Sequence, residues 1–147
     1  MKTSFLCMRH RRWLCNDPAA ALYTWLQCYE QGLRLEQQGQ PAPAIRQAGC
    51  AMETAEILLC GRRCPERDDI TRFTHSALLL GRLLQRQGAF SRAAHYAHGA
   101  IDTLQQCLAA GLSEVGAVEA CEQLAPLTAP PPGVIDIQAR RAARQLH

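Results

Sequence analysis

Shifted against itself by 49 residues, this chain of 147 matches its own sequence over Gly32 to Leu59 and Gly81 to Leu108. Nine of the 28 positions are identical: Gly32/Gly81, Leu35/Leu84, Gln38/Gln87, Gly39/Gly88, Ala44/Ala93, Ala48/Ala97, Ala51/Ala100, Thr54/Thr103 and Leu59/Leu108. An Ala-rich stretch of this kind agrees with itself by chance at about three positions, so the register reads as an internal repeat of one supersecondary unit. Each copy holds two helical patterns separated by a turn signal, and units that cannot bury their apolar faces alone must stack. The fold class that follows is all-α, with antiparallel helical hairpins stacked as an array of five to six helices.

Composition agrees with that reading. Apolar residues make up 48% of the chain, charged residues 20% and aromatics only 5%, while Ala, Leu and Gln recur throughout. This vocabulary favours helices over strands and excludes an all-β fold and a disordered chain. The length suits one domain. It divides into a basic segment over 1–16, a helical domain over 17–128, and a Pro-rich link with a basic C-terminal helix over 129–147.

Local signals place the helices. Asn16-Asp17-Pro18 combines a cap with Pro in the first turn and opens a helix over about 18–38, whose apolar positions Leu22, Leu26, Tyr29 and Leu33 form one stripe. Gly39-Gln-Pro41 ends it. A second helix runs over about 41–61 through Ile45, Ala48, Met52, Ala55 and Leu59. The loop Gly61 to Asp69 supplies a cap at Asp68 or Asp69 for a third over about 69–87, with Ile70, Phe73, Ala77, Leu80 and Leu84 inward. Gly88 breaks it. A fourth over about 90–110 carries Phe90, Ala93, Ala97, Ile101, Leu104 and Leu108, and stops at Gly111. A fifth, over about 113–125, opens with Ser113 and Glu114 and turns Val118, Cys121, Leu124 and Leu127 to one face. Ala129-Pro-Pro-Pro-Gly133 is an extended link, and Val134 to His147 forms a short helix with Arg140, Arg141 and Arg144 on one side.

Within each copy, Gly32 and Gly81 allow close helix approach, Gly39 and Gly88 terminate the first helix, and Ala44, Ala51, Ala93 and Ala100 leave a smooth face on the second. Leu80-Gly81, Leu84, Gly88-Ala-Phe90, Ala93 and Ala100 in the second copy, with Gly32, Leu35, Gly39, Ala44 and Ala51 in the first, resemble the tetratricopeptide repeat. Repeat 1 then covers about 17–62 and repeat 2 about 68–111, with 113–127 as a capping helix. The unit departs from the family in its length of 49 residues against about 34, in Cys28 and Ala77 where the family has its early aromatic, and in lacking the closing Pro.

The resemblance implies a protein-interaction module that holds a partner peptide or helix in the groove lined by the first helix of each pair. Carried onto this chain, that groove receives Tyr29, Leu33 and Glu36, with Leu26 and Gln37, from the first helix. The third contributes His75, Leu78, Arg82, Gln85 and Arg86. Arg82 and Arg86 lie four apart, on one face, and their planar forks suit an acidic partner. The plainer alternative for the same stripe is an ordinary solvated helix face.

Other constellations point less far. The eight cysteines sit mostly in apolar helical runs, where Cys28, Cys50, Cys60, Cys107 and Cys121 read as small core residues. Cys60-Gly-Arg-Arg-Cys64 lacks the spacing and the preceding strand of a thiol oxidoreductase, and Cys7, His10 and Cys15, with Cys64 or His75, lack the tight pair of structural zinc. His95 and His98 read as surface or packing residues. No catalytic triad, phosphate loop or metalloprotease motif is present, so neither enzymatic chemistry nor a cofactor is expected.

The net charge of +3 gives no strong field for a polyanion. The alternative function is a nucleic-acid-binding regulator using Arg9, Arg11, Arg12 and Trp13 with Arg140, Arg141 and Arg144. Arg-rich, Ala-rich usage suggests bacterial coding, and without a secretory or membrane-spanning run the expectation is a cytoplasmic adaptor, regulator or secretion-type chaperone. Two repeats leave apolar ends to cover, so a homodimer is expected, with residues 1–30, including Trp13, Trp25 and Tyr29, near its interface.

Overall fold

The computed structural model describes residues 4–111 and 116–129. The described residues form α1 (Met8–Asn16), α2 (Pro18–Gln37), α3 (Pro41–Cys60), α4 (Arg67–Arg86), α5 (Phe90–Ala109), α6 (Ala117–Leu124) and a closing 3-10 turn over Ala125–Thr128. The expected cap at Ser113 and Glu114, the Pro-rich link beyond residue 129 and the basic C-terminal helix with Arg140, Arg141 and Arg144 lie outside the described residues. Every boundary of α4 and α5 stands 49 positions beyond its counterpart in α2 and α3, so the sequence register is also the structural one.

Capping chemistry sets those boundaries. Asp17 Oδ1 accepts from the Ala20 amide at 3.1 Å, and Pro18 occupies the first turn of α2. Gly39 and Gly88 both take left-handed backbone, with φ of 70° and 73°. At the first, the Gln40 amide donates to Leu35 O at 3.0 Å and Gly39 to Glu36 O at 3.1 Å. At the second, Ala89 donates to Leu84 O at 2.9 Å and Gly88 to Gln85 O at 2.9 Å. Both helices thus end in the same Schellman motif, which turns the chain back antiparallel. The start of α4 differs from expectation. Glu66 is the N-cap, and the Asp69 carboxylate accepts from the Glu66 amide at 2.9 Å, giving a reciprocal capping box.

Consecutive helices pack against each other, and burial rises toward the middle of the series. Three residues of α2 are buried, nine of α3, eleven of α4 and four of α5. α3 and α4 each lie between two long helices, whereas α2 borders the short α1 and α5 the short α6 and the 3-10 turn on the other side. Phe73, Leu80, Leu84 and Leu104 fill the main core with Ala44, Ala48, Ala93 and Ala100. A smaller cluster, Leu14, Ala21 and Leu58 with Leu6 and Ile57, joins α1 to the first hairpin.

Several expectations need correction. On α2 the residues buried toward the neighbouring helices are Ala21, Gly32 and Leu35, whereas Leu22 and Leu26 are exposed. The reason is steric: a Cβ at Gly32 would lie 3.3 Å from Leu79 Cδ2 of α4, 3.5 Å from Ala48 N and 3.7 Å from Ala44 O, so α3 and α4 approach along the small residues and the bulky stripe is turned aside. Residues 8–16 form a helix anchored by buried Leu14, instead of a simple basic segment. Val118 is exposed, Ala117 and Ala120 taking the buried side of α6. Cys60 is exposed as the last residue of α3. No helix among the described residues is long and apolar enough to cross a membrane.

Candidate functional site

The positions expected to line the groove occupy the outward strips of α2 and α4. On α2, Leu22, Leu26, Tyr29, Leu33 and Glu36 recur at four, three, four and three, which keeps them on one side. Leu22, Tyr23 and Leu26 are 41%, 62% and 45% exposed, while Tyr29 and Leu33 are half-buried and pack against the core edge. Trp25 stacks on Tyr29 with ring centroids 5.3 Å apart and donates from Nε1 to Ser76 Oγ at 2.8 Å. The Arg72 guanidinium lies 5.9 Å over the Trp25 ring and reaches the Asp69 carboxylate at 3.0 Å. Asp69 also meets Arg62 at 3.5 Å, so the aromatic pair is backed by an ionic chain that begins at the start of α4.

Arg82 and Arg86 face a carboxylate supplied by the chain itself. Arg82 Nε and Nη2 donate to Glu36 Oε2 and Oε1 at 3.1 and 2.9 Å, and Arg86 Nη1 donates to Oε2 at 3.2 Å. The Arg82 hydrogen bonds hold the Glu36 carboxyl below the usual carboxylate range, against the opposing effect of burial. The same bonds raise Arg82. An incoming acidic group therefore meets guanidinium groups already engaged, whereas Leu22, Tyr23 and Leu26 are exposed among the described residues. Leu78 and Gln85 are half-buried on α4 beside this strip. His75 stands apart, sharing a small recess with Arg67, Thr71 and Glu119 toward α6.

A second site, absent from the sequence reading, lies on α3 and α5. The Glu53 carboxylate accepts from the Phe5 amide at 2.8 Å and the Leu6 amide at 2.7 Å, and Arg11 approaches it at 3.4 Å. Cys50 Sγ donates to Phe5 O at 3.7 Å. The Phe5 ring rests where a Cβ on Gly49 would be, 2.4 Å from its atoms, and meets Tyr96 with centroids 5.7 Å apart. Next to it a cavity of about 510 Å3 opens between α3 and α5, lined in part by Met52, Phe73 and Tyr96 with Glu56 and Asp102. Gly49 was the available signal. A glycine inside an Ala-rich helix costs about 1 kcal/mol of helix propensity and marks a close approach.

Cysteines occupy distinct environments. Cys7 caps α1, its Sγ accepting from the His10 amide at 3.5 Å and lying 3.0 Å from His10 Nδ1. That amide first, and then the ring, lower the Cys7 thiol below its ordinary range. Cys15 does not join them, and among the described residues no three His, Cys, Asp or Glu side chains converge as metal ligands. The neighbouring Cys50 thiol pulls Cys28 down, and Cys28 together with burial pushes Cys50 up. Burial raises Cys107 and Cys121. Cys60 and Cys64 are exposed.

Comparison of the chain with protein-family models, curated proteins and solved structures finds no match.

Proposed function

We propose that this chain is a protein-recognition module, a diverged tetratricopeptide-like array that binds a partner peptide or helix along the α2–α4 face and performs no chemistry of its own. One observation carries the reading: Leu22, Tyr23 and Leu26 form a solvent-exposed apolar run on α2 that continues into Tyr29 and Leu33. Contiguous apolar surface with a polar rim is what a helix-in-groove or peptide contact uses, and Glu36, Arg82 and Arg86 supply that rim. The same surface, with exposed Met8 and Trp13, also suits a homodimer.

Leu22→Asp with Leu26→Asp tests it. Partners retained by the wild-type chain in its own lysate should be lost, and calorimetry with the purified partner should show at least about tenfold weaker binding. A double variant that keeps every partner at unchanged affinity overturns the assignment of this face. Light scattering of both chains at micromolar concentration tests the dimer, which the double variant should dissociate.

A second reading, nucleic-acid binding, draws on Arg9, Arg12 and Trp13, which line one recess on α1. It requires an affinity that falls steeply with salt and vanishes in an Arg9→Ala, Arg12→Ala variant. Absence of binding to duplex and single-stranded probes at about 50 mM salt removes it.

A further inference from the structure

Residues 4–7 are held on the α3–α5 side in the manner of a bound ligand. Two successive amides, those of Phe5 and Leu6, point at the one Glu53 carboxylate. An extended strand alternates its N–H directions, so this convergence requires a bend, and both residues are in one. Ser4 Oγ donates to Leu6 O at 2.8 Å and closes the bend. A single side chain is read in depth: the Phe5 ring, set in the notch that Gly49 leaves and flanked by Tyr96. Every one of these contacts recognises backbone or an aromatic ring, and none depends on the segment being covalently joined to α1.

The occupant also leaves its groove partly empty. The adjoining cavity of about 510 Å3 has apolar walls from Met52, Phe73 and Tyr96 and falls within the size of ordinary ligand pockets. Its polar lining carries both kinds of group, Glu53, Glu56 and Asp102 with Arg11, His95 and His98, and Arg11 already meets Glu53 at 3.4 Å.

We propose that the α3–α5 groove is a peptide-recognition site whose resident occupant is the chain's own Ser4–Cys7 segment. A partner peptide displaces that segment with a bend whose successive amides meet Glu53 and whose aromatic ring fills the notch at Gly49. The tether gives the resident segment a millimolar effective concentration, so the site is open only to a partner that binds more tightly than the segment alone. This inference does not rest on the α2–α4 face, and substitutions at Leu22 and Leu26 leave it intact.

The test uses the full chain and a fluorescent synthetic peptide of residues 2–9 carrying the C7S substitution, which holds Phe5 and the two amides that meet Glu53. Anisotropy should show the Phe5→Ala protein binding this peptide at least about tenfold more tightly than wild type, because the tethered competitor has lost its anchor. Adding Glu53→Gln should abolish that gain, and a peptide with Phe replaced by Ala should not bind. Equal affinity of wild type and Phe5→Ala, or no binding by a Phe5→Ala protein of wild-type helicity, overturns the proposal.

A readout in the wild-type sequence covers the case in which Phe5→Ala does not fold. With 4-fluorophenylalanine at position 5, millimolar peptide should move the fluorine resonance to that of a solvent-exposed ring, and a resonance that stays in place overturns displacement. A wild-type dimer that becomes monomeric on Phe5→Ala would assign the groove to a second copy's segment, and equally overturn the tethered occupant.

Discussion

The two helical hairpins, α2–α3 and α4–α5, share their lengths, their Schellman terminations and the buried alanines of their second helices, yet they present different outer surfaces. Leu22, Leu26 and Leu33 of α2 correspond to Thr71, His75 and Arg82 of α4. Gly49 of α3 takes the Phe5 ring, while its counterpart on α5, His98, is exposed. Even the shared glycines have parted: Gly32 admits Leu79 of α4 and the backbone of α3, but a Cβ at Gly81 would meet Leu127 Cδ1 of the 3-10 turn at 2.6 Å. What the copies keep in common is the skeleton of caps and close contacts. Several of their differences sit where other parts of the chain pack, Phe5 at Gly49 and Leu127 at Gly81.

The largest effect expected from this asymmetry is at the core. Phe73 is fully buried, and its counterpart, Thr24, is only half-buried. Phe73→Ala should cost about 3 to 5 kcal/mol in urea unfolding and Thr24→Ala less than about 1. Similar costs would mean that the hairpins are interchangeable. The glycines come next. Gly32→Leu drives a side chain into the α3 backbone and should cost about 3 kcal/mol, whereas Gly81→Leu displaces a flexible leucine near the end of the fold and should cost about 1. The reverse order would contradict the different roles assigned to the two positions.

Smaller still is the ionic link between the hairpins. Glu36 is 15% exposed, but Arg82 and Arg86 are 45% and 62% exposed, so water screens the pair and Glu36→Gln should cost about 1 kcal/mol. Since the folded carboxyl is depressed, its contribution is complete above the unfolded value of about 4.3 and disappears as pH falls through the lower folded one. The melting temperatures of wild type and Glu36→Gln should therefore converge on acidification below about pH 4, and a gap that persists there would rule out the ionic origin. Reversing both arginines to Glu places three carboxylates together and should destabilise more than Glu36→Gln does. The smallest effect is at the exposed strip, where Leu22→Asp with Leu26→Asp should change stability by less than about 0.5 kcal/mol while removing recognition.

The four long helices were legible because their ends carry strong local chemistry: Asp17-Pro18, the glycines Gly39 and Gly88, and the acidic start of α4. Helix α1 was not. It has nine residues, its cap is Cys7 in place of a preferred Ser, Thr, Asp or Asn, and Leu14 is its single buried side chain. The α2–α4 strip could be read from periodicity, and Glu36 was placed on it. That Glu36 itself binds Arg82, 46 residues away, depends on how the hairpins stack, which no local spacing encodes. The hold of Glu53 on the Phe5 and Leu6 amides, 48 and 47 residues distant, was invisible for the same reason.

The rise and fall of burial along the stack also sets how the molecule breathes. Each long helix leans chiefly on its neighbours in sequence, so loop closure during folding is inexpensive and α3 and α4, which have the most to gain, are the natural nucleus. Opening then proceeds from the ends. Amide hydrogens of α3 and α4 should exchange only through global unfolding, while those of α1, α5 and α6 exchange through partial openings of lower free energy. The surface that holds Phe5 spans this boundary, with α3 on the slow side and α5 on the fast one, so whatever occupies it acts as a clasp that couples an end of the stack to its centre.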